Sequence, residues 1–339
     1  MTDASTETFD LKGKSILVTG GTGSFGREFV ARLLAKSEAR RVIVFSRDEQ
    51  KQFQMSNEAT FRGHDNIRFF IGDVRDRTRL EMATRDVDYI VHAAAMKHVA
   101  IAEYNPVECV HTNVTGAENI VHAAIQNKVK RVIALSTDKA CNPINLYGAS
   151  KLASDKIFVA ANNMSGSAGT RFSVVRYGNV MGSRGSVLPL FRELIAQGVS
   201  ALPITDERMT RFWITLDQGV EFVLSCFKIM RGGEIFVPKI PSMRVVDLAR
   251  ALAPDLPHKM VGVRPGEKLH EAMVSTDDAR LTVDLGDRYV IEPALAWWDR
   301  TTYVATGASR VVDDFSYTSD KNEHWLSAEE MLRMTEVVP

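Results

Sequence analysis

The stretch Ser15-Ile16-Leu17-Val18-Thr19-Gly20-Gly21-Thr22-Gly23-Ser24-Phe25-Gly26 constrains the fold of this chain more than any other. An apolar run of strand length enters a turn with glycines at 21, 23 and 26, and a helical pattern (Phe29, Val30, Leu33, Leu34) follows. Strand, glycine turn and helix in that order open a nucleotide-binding α/β unit. Such a turn lets the backbone approach a pyrophosphate, which sits at the positive end of the helix. The expected ligand is therefore a dinucleotide.

Short apolar runs recur at residues 42–45, 67–71, 89–92, 132–135 and 172–175, with helix-like stretches between them, including 117–127. Strands alternating with helices predict a Rossmann-type, doubly wound parallel sheet with helices on both faces. Ligands of such sheets bind beyond the carboxyl ends of the strands. Asp73, Ala93, residues 137–139 and Asn179 all follow such ends. Past Gly178 the alternation loosens, and glycine-punctuated polar turns appear at 182–187 and 264–268. Residues 217–230 look helical, and 234–237 look like a strand that returns to the sheet. The expected organisation is a dinucleotide-binding domain over 1–178, with returning elements near 210–240. A smaller, interleaved C-terminal lobe over 179–339 would hold mainly the substrate.

The chemistry concentrates in Ser136-Thr137-Asp138-Lys139-Ala140 and Tyr147-Gly148-Ala149-Ser150-Lys151. Tyr147 and Lys151 stand at i and i+4, hence on one face of a helix. A neighbouring ammonium can make a phenol acidic enough to take a proton from an alcohol. Asp138 and Lys139 add a second proton-handling pair, which points beyond simple alcohol oxidation. After the second strand come Ser46, Arg47 and Asp48. Arg47 and Ser46 suit a 2′-phosphate and so favour NADP, while Asp48 leaves NAD open.

Lys+Arg and Asp+Glu balance at 42 each and no basic run stands out, so nothing points to nucleic acid or a membrane surface. No apolar stretch approaches the roughly 18 residues of a membrane span, and the polar N-terminus lacks a secretory pattern. The three cysteines (Cys109, Cys141, Cys226) form no disulfide or zinc pattern, and no metal site is expected. A soluble cytoplasmic protein follows from these observations as an expectation.

Several of these motifs together resemble the extended short-chain dehydrogenase/reductase superfamily. Within it, residues 46–49, 95–98, 136–140, 142–148, 176–180, 209–213 and 264–271 resemble the UDP-N-acetylglucosamine 4,6-dehydratases, specifically the C5-inverting type of pseudaminic acid biosynthesis. The resemblance runs from about Lys14 to Trp325, with minor departures at Met96 and Met181. It implies NADP, a UDP-sugar substrate and a homo-oligomer (dimer or hexamer). Cofactor contacts carried by the resemblance are Gly20, Thr22, Gly23, Ser24, Phe25, Gly26, Ser46, Arg47, Asp48, Lys51, Asp73, Val74, Ala93, Lys97, Thr112, Tyr147, Lys151 and Val180. Substrate contacts are Lys97, Asn179, Arg184, Gly185, Ser186, Val187, Thr205, Arg211, Arg264 and Glu267.

The implied mechanism has Tyr147 as base at the sugar C4 hydroxyl and Lys151 holding the nicotinamide ribose. Thr137 would bond the C4 oxygen, while Lys139 acts as base and Asp138 as acid in expelling the C6 hydroxyl. A lysine acts as base only when neutral, and partial burial beside Lys151 and the oxidised nicotinamide is expected to lower the Lys139 pKa. The nearest rivals are a C5-retaining dehydratase or a nucleotide-sugar epimerase on the same fold. A non-enzymatic NADP sensor would be expected to lack Tyr147 or Lys151.

Overall fold

The computed structural model describes residues 10–166, 169–183 and 185–336. Strands β1 (Ser15–Thr19), β2 (Arg41–Ser46), β3 (Ile67–Ile71), β4 (Tyr89–His92), β5 (Arg131–Thr137) and β6 (Arg171–Tyr177) lie parallel in the order β3-β2-β1-β4-β5-β6. The strands inside this row are covered on both faces by helices, which is why each reads as a continuous apolar run. The edge strand β3 is only half-buried. The strand order reverses between β1 and β4, so a crevice opens beyond Thr19 and His92. One side chain stitches that point. Thr19 Oγ1 accepts from the Ala93 and Ala94 amides (3.2 and 3.3 Å) and lies 2.8 Å from His92 Nδ1. Burial holds His92 neutral, with its pKa pushed down to about 3.

β5 and β6 run two residues further than their apolar runs predict. Their polar ends, Ser136 and Arg176, pair in register and share Asp155, which accepts from Ser136 Oγ at 2.8 Å and from Arg176 at 3.3 Å. Asp155 belongs to the helix Leu146–Met164, so a tertiary partner keeps these polar residues in the strands.

The expected return strand forms at Ile235–Pro238, parallel to β6. Three antiparallel strands then extend the sheet to ten: Arg288–Ile291, Thr282–Asp284 and Ser309–Arg310. Sequence reading missed these three. They are two to four residues long, too short to show a period, and the turn between the first pair has Gly286 at φ 90°. In the smaller lobe, Asn179–Val180, Thr210–Ile214 and Ser242–Arg244 form a three-stranded sheet. Trp213, Phe191, Leu248 and Met331 close a separate core beside it. Among the described residues no helix is long and apolar enough to cross a membrane.

Candidate active site

The glycine turn leads into the helix Ser24–Lys36. Gly23 is its N-cap and supplies no side-chain cap, so the first amides have no protein partner from that source. The helix dipole and these free donors suit an anionic diphosphate. Phe25 stacks on Tyr177 with centroids 6.3 Å apart. At the end of β2, Thr22 Oγ1 donates to Ser46 Oγ (3.1 Å). The Asp48 carboxylate accepts from the Lys51 amide (2.9 Å) as the cap of the helix Glu49–Asn57, and pairs with Lys51 Nζ at 2.7 Å. Those bonds hold its pKa below the usual carboxylate value. Arg47 is 61% exposed and faces Asp73 at 3.7 Å, but Asp73 is already held by Arg75 at 2.8 Å.

Further along the crevice, Val74 is buried and Ala93 contributes main chain. A π-helical turn, His111–Thr115, carries Thr112 and Asn113 inward. Thr112 Oγ1 is buried with no hydrogen-bond partner among the described residues. Asn113 accepts from the Met96 amide (2.8 Å) and donates to Ser150 Oγ (2.9 Å), fixing the loop that bears exposed Lys97. Lys151 is buried in the helix Leu146–Met164; burial lowers its pKa and Asp155 opposes that shift. Diphosphate-ready amides, an unpaired Thr112 hydroxyl and a desolvated Lys151 ammonium all fit a bound dinucleotide.

The start of the helix Leu146–Met164 sets Tyr147 against the end of β5. Asn145 caps it by accepting from the Gly148 amide (2.7 Å) and also donates to the Gly266 carbonyl (2.7 Å). Gly148 is required here, because a Cβ at that position would fall on the Lys139 carbonyl oxygen. Thr137 Oγ1 and Lys139 Nζ both donate to Asp138 Oδ1, at 2.9 and 3.0 Å, while the buried Oδ2 has no hydrogen-bond partner among the described residues. Lys139 Nζ also lies 3.3 Å from Glu271 Oε1.

This geometry corrects two expectations about charge. Burial opposes the Lys139 ammonium, but Asp138 and then Glu271 outweigh it, so the pKa is raised rather than lowered. The Tyr147 phenol is pushed up to about 12 by burial; the charge that counters this is Lys139, with a Thr137 hydrogen bond, rather than Lys151.

The remaining expected residues line the smaller lobe. Asn179 and Val180 pair with Trp213 and Ile214. Gly185 packs on the His98 ring, and Ser186 stands at the N-cap position of the helix Val187–Ala196 with its hydroxyl buried and making no hydrogen bond among the described residues. Arg184 lies outside the described residues. Thr205 is half-buried beyond the strand Leu202–Ile204, and Arg264 is exposed. The buried Arg211 donates to the carbonyls of Thr210, Leu269 and Lys268 (2.7–3.1 Å). Glu267 keeps a buried Oε2 with no hydrogen-bond partner among the described residues.

The polysaccharide biosynthesis protein family matches the chain over residues 16–293. A Campylobacter jejuni protein named UDP-N-acetylglucosamine 4,6-dehydratase (inverting) is 58% identical over 94% of this chain and 96% of its own length. The chain belongs to this dehydratase family. A Rickettsia akari protein named UDP-glucose 4-epimerase is 41% identical, covering 95% of each chain. Among solved structures, the dTDP-glucose 4,6-dehydratase DesIV of Streptomyces venezuelae, with NAD bound, superposes with a TM-score of 0.67 at 27% identity. That superposition covers 75% of this chain and 86% of the other.

Sequence reading assigned no role to three residues that build this candidate site: Asn145, Asp155 and Glu271. Asn145 and Glu271 sit inside recognised motifs, but the partners that define them come from other segments. Asp155 carries no local signal beyond lying one turn past Lys151. The tight contact at Gly148 gives a test. Gly148→Ala should lower unfolding free energy by about 1–3 kcal/mol and cut kcat by roughly 100-fold through displacement of Tyr147. Urea denaturation and steady-state turnover measure the two effects.

Proposed function

We infer that this chain removes water from UDP-N-acetylglucosamine with inversion at C5, giving the 4-keto-6-deoxy-L-arabino sugar. The reading assigns it to the first step of pseudaminic acid biosynthesis. The observation that carries it is the pairing of half-buried Lys139 with buried Asp138 at the end of β5, 3.0 Å apart and acting on Tyr147. C4 epimerisation, the activity named for the Rickettsia relative, needs no such second acid and base. A C5-retaining dehydratase would use the same groups with a different face of reprotonation.

In this reading Tyr147 takes the C4 hydroxyl proton, and Lys151 orients the nicotinamide ribose beside it. A bound nicotinamide would supply a reversible hydride acceptor at this point, so that hydrogen could leave C4 and later arrive at C6. The C4 ketone acidifies the C5 hydrogen, which Lys139 removes. The C5–H electrons form the C5–C6 double bond as the C6–O bond breaks. Asp138 protonates the departing oxygen; its unpaired Oδ2 is the atom suited to carry that proton. Reprotonation at C5 completes a net loss of one water with no net redox change. Thr137 moves from Asp138 to the C4 oxygen when the sugar binds. Asn179, Arg184, Gly185, Ser186, Val187, Thr205, Arg211, Arg264 and Glu267 are the proposed contacts to the UDP-sugar, with Lys97 between sugar and cofactor.

NADP is the proposed cofactor. Asp48 is engaged as a helix cap and with Lys51, whereas Arg47 is exposed and only a second partner of Asp73. A 2′-phosphate would take up Arg47 and Ser46. Residues 1–178 are assigned mainly to the cofactor and 179–339 mainly to the sugar nucleotide. We place the protein in the cytoplasm as a homo-oligomer, a dimer or hexamer. The exposed Ile101, Tyr104, Val107 and Val110 on neighbouring short helices support association with a second copy.

Two outcomes follow. In heavy water, UDP-N-acetylglucosamine should lose one water, gain deuterium at C5 with inverted configuration, and leave nicotinamide absorbance unchanged. Proton spectra and product mass measure this; accumulating reduced cofactor would make the protein a simple dehydrogenase. Arg47→Ala should weaken NADP binding about 10- to 100-fold, the worth of a charge-assisted contact, and change NAD binding little. Titration of both cofactors against both proteins decides it.

A further inference from the structure

Glu271 lies just before the strand Ala272–Val274, far along the chain from the Asp138–Lys139 turn, yet its carboxylate is 2% exposed and meets that turn. Its backbone is pinned on both sides: its amide donates to Ser319 Oγ (2.9 Å) and its carbonyl accepts from the Ser319 amide (2.8 Å). The C-terminal segment thus fixes where the carboxylate stands. Oε1 lies 3.3 Å from Lys139 Nζ, while Oε2 is buried with no hydrogen bond. Two cations stand further off, Arg211 Nε at 3.9 Å and Lys268 Nζ at 3.9 Å. Lys268 is itself anchored on the Cys141 carbonyl at 2.6 Å.

We propose that Glu271 is a positioning residue of the elimination step, sharing the Lys139 ammonium with Asp138 and so governing when that amine is free to act as base. The proposal rests on the dehydratase reading above. Lys139 is faced by Asp138 from its own turn, Glu271 from the segment before Ala272–Val274, Arg211 from the strand Thr210–Ile214 and Tyr147 from the helix Leu146–Met164. Lys268 stands behind Glu271. An amine between two carboxylates keeps its proton to higher pH than an amine beside one. Deleting the charge of Glu271 therefore moves the onset of elimination to lower pH. Deleting the charge of Lys268 leaves Glu271 less compensated and moves the onset to higher pH. A carboxylate needed only for folding would produce neither shift.

The test is the single-turnover rate of water loss from UDP-N-acetylglucosamine between pH 6 and 10 for the NADP-loaded parent, Glu271→Gln, Glu271→Asp and Lys268→Met. The expected result is a midpoint lower by about one unit or more in Glu271→Gln, with KM within about threefold of the parent. Glu271→Asp should restore the parent midpoint, and Lys268→Met should shift it upward. Should Glu271→Gln fail to fold, the upward shift in Lys268→Met still decides. Coincident pH profiles for the parent and every folded variant would overturn the role of Glu271. A parent that leaves UDP-N-acetylglucosamine intact at every pH would overturn the dehydratase reading and this role together.

Discussion

One ammonium set between two buried carboxylates holds the site together. Lys139 is shared between Asp138, its neighbour in sequence, and Glu271, supplied by the other half of the chain. Taking such charges out of water costs several kcal/mol per ion, and only close partners offset it. Removing one partner from a buried pair costs about 3–5 kcal/mol. The lobe that carries residues 264–271 must therefore close on the end of β5, and the contacts around it serve that closure. Asn145 reaches the Gly266 carbonyl, Lys268 reaches the Cys141 carbonyl, and Ser319 clamps Glu271. Each ties the neighbourhood of the Asp138–Lys139 turn to a segment distant in sequence.

The same arrangement explains how one site can host an oxidation and an elimination. Tyr147 and Lys151 stand on one helix face over the cofactor crevice, while Asp138 and Lys139 stand on the adjoining turn. Both pairs are desolvated, which strengthens every charge interaction between them and the sugar. The resting charges favour a protonated Lys139 and a neutral Tyr147. The positive charge of Lys139 lowers the cost of forming tyrosinate, so the two proton sites are coupled. Oxidation at C4 comes first in the reading, when an ammonium beside Tyr147 helps. Elimination follows, when that amine must be neutral.

Much of this was legible in the sequence because it is local. The glycine turn, the six parallel strands and the Tyr147–Lys151 spacing each lie within a window where periodicity and turn chemistry speak directly. The three antiparallel strands that widen the sheet were not legible, since two to four residues leave no periodic trace. The polar ends of β5 and β6 depended on Asp155, and the charge state of Lys139 depended on Glu271. Both are long-range partners. Burial beside Lys151 and an oxidised nicotinamide predicted a depressed lysine pKa, whereas in the structure Asp138 and then Glu271 outweigh burial and raise it. At Asp48 the sequence leaves a ribose contact open, and the structure adds the Lys51 amide and ammonium as its partners.

The central claim is that hydride leaves C4 and returns to C6 of the same sugar within one closed site. UDP-N-acetylglucosamine carrying deuterium at C4 tests it most directly, with the product read by mass and proton spectra. The account predicts deuterium at C6 of the 4-keto product at every turnover. Deuterium recovered in released reduced cofactor, or lost from the sugar altogether, would contradict it.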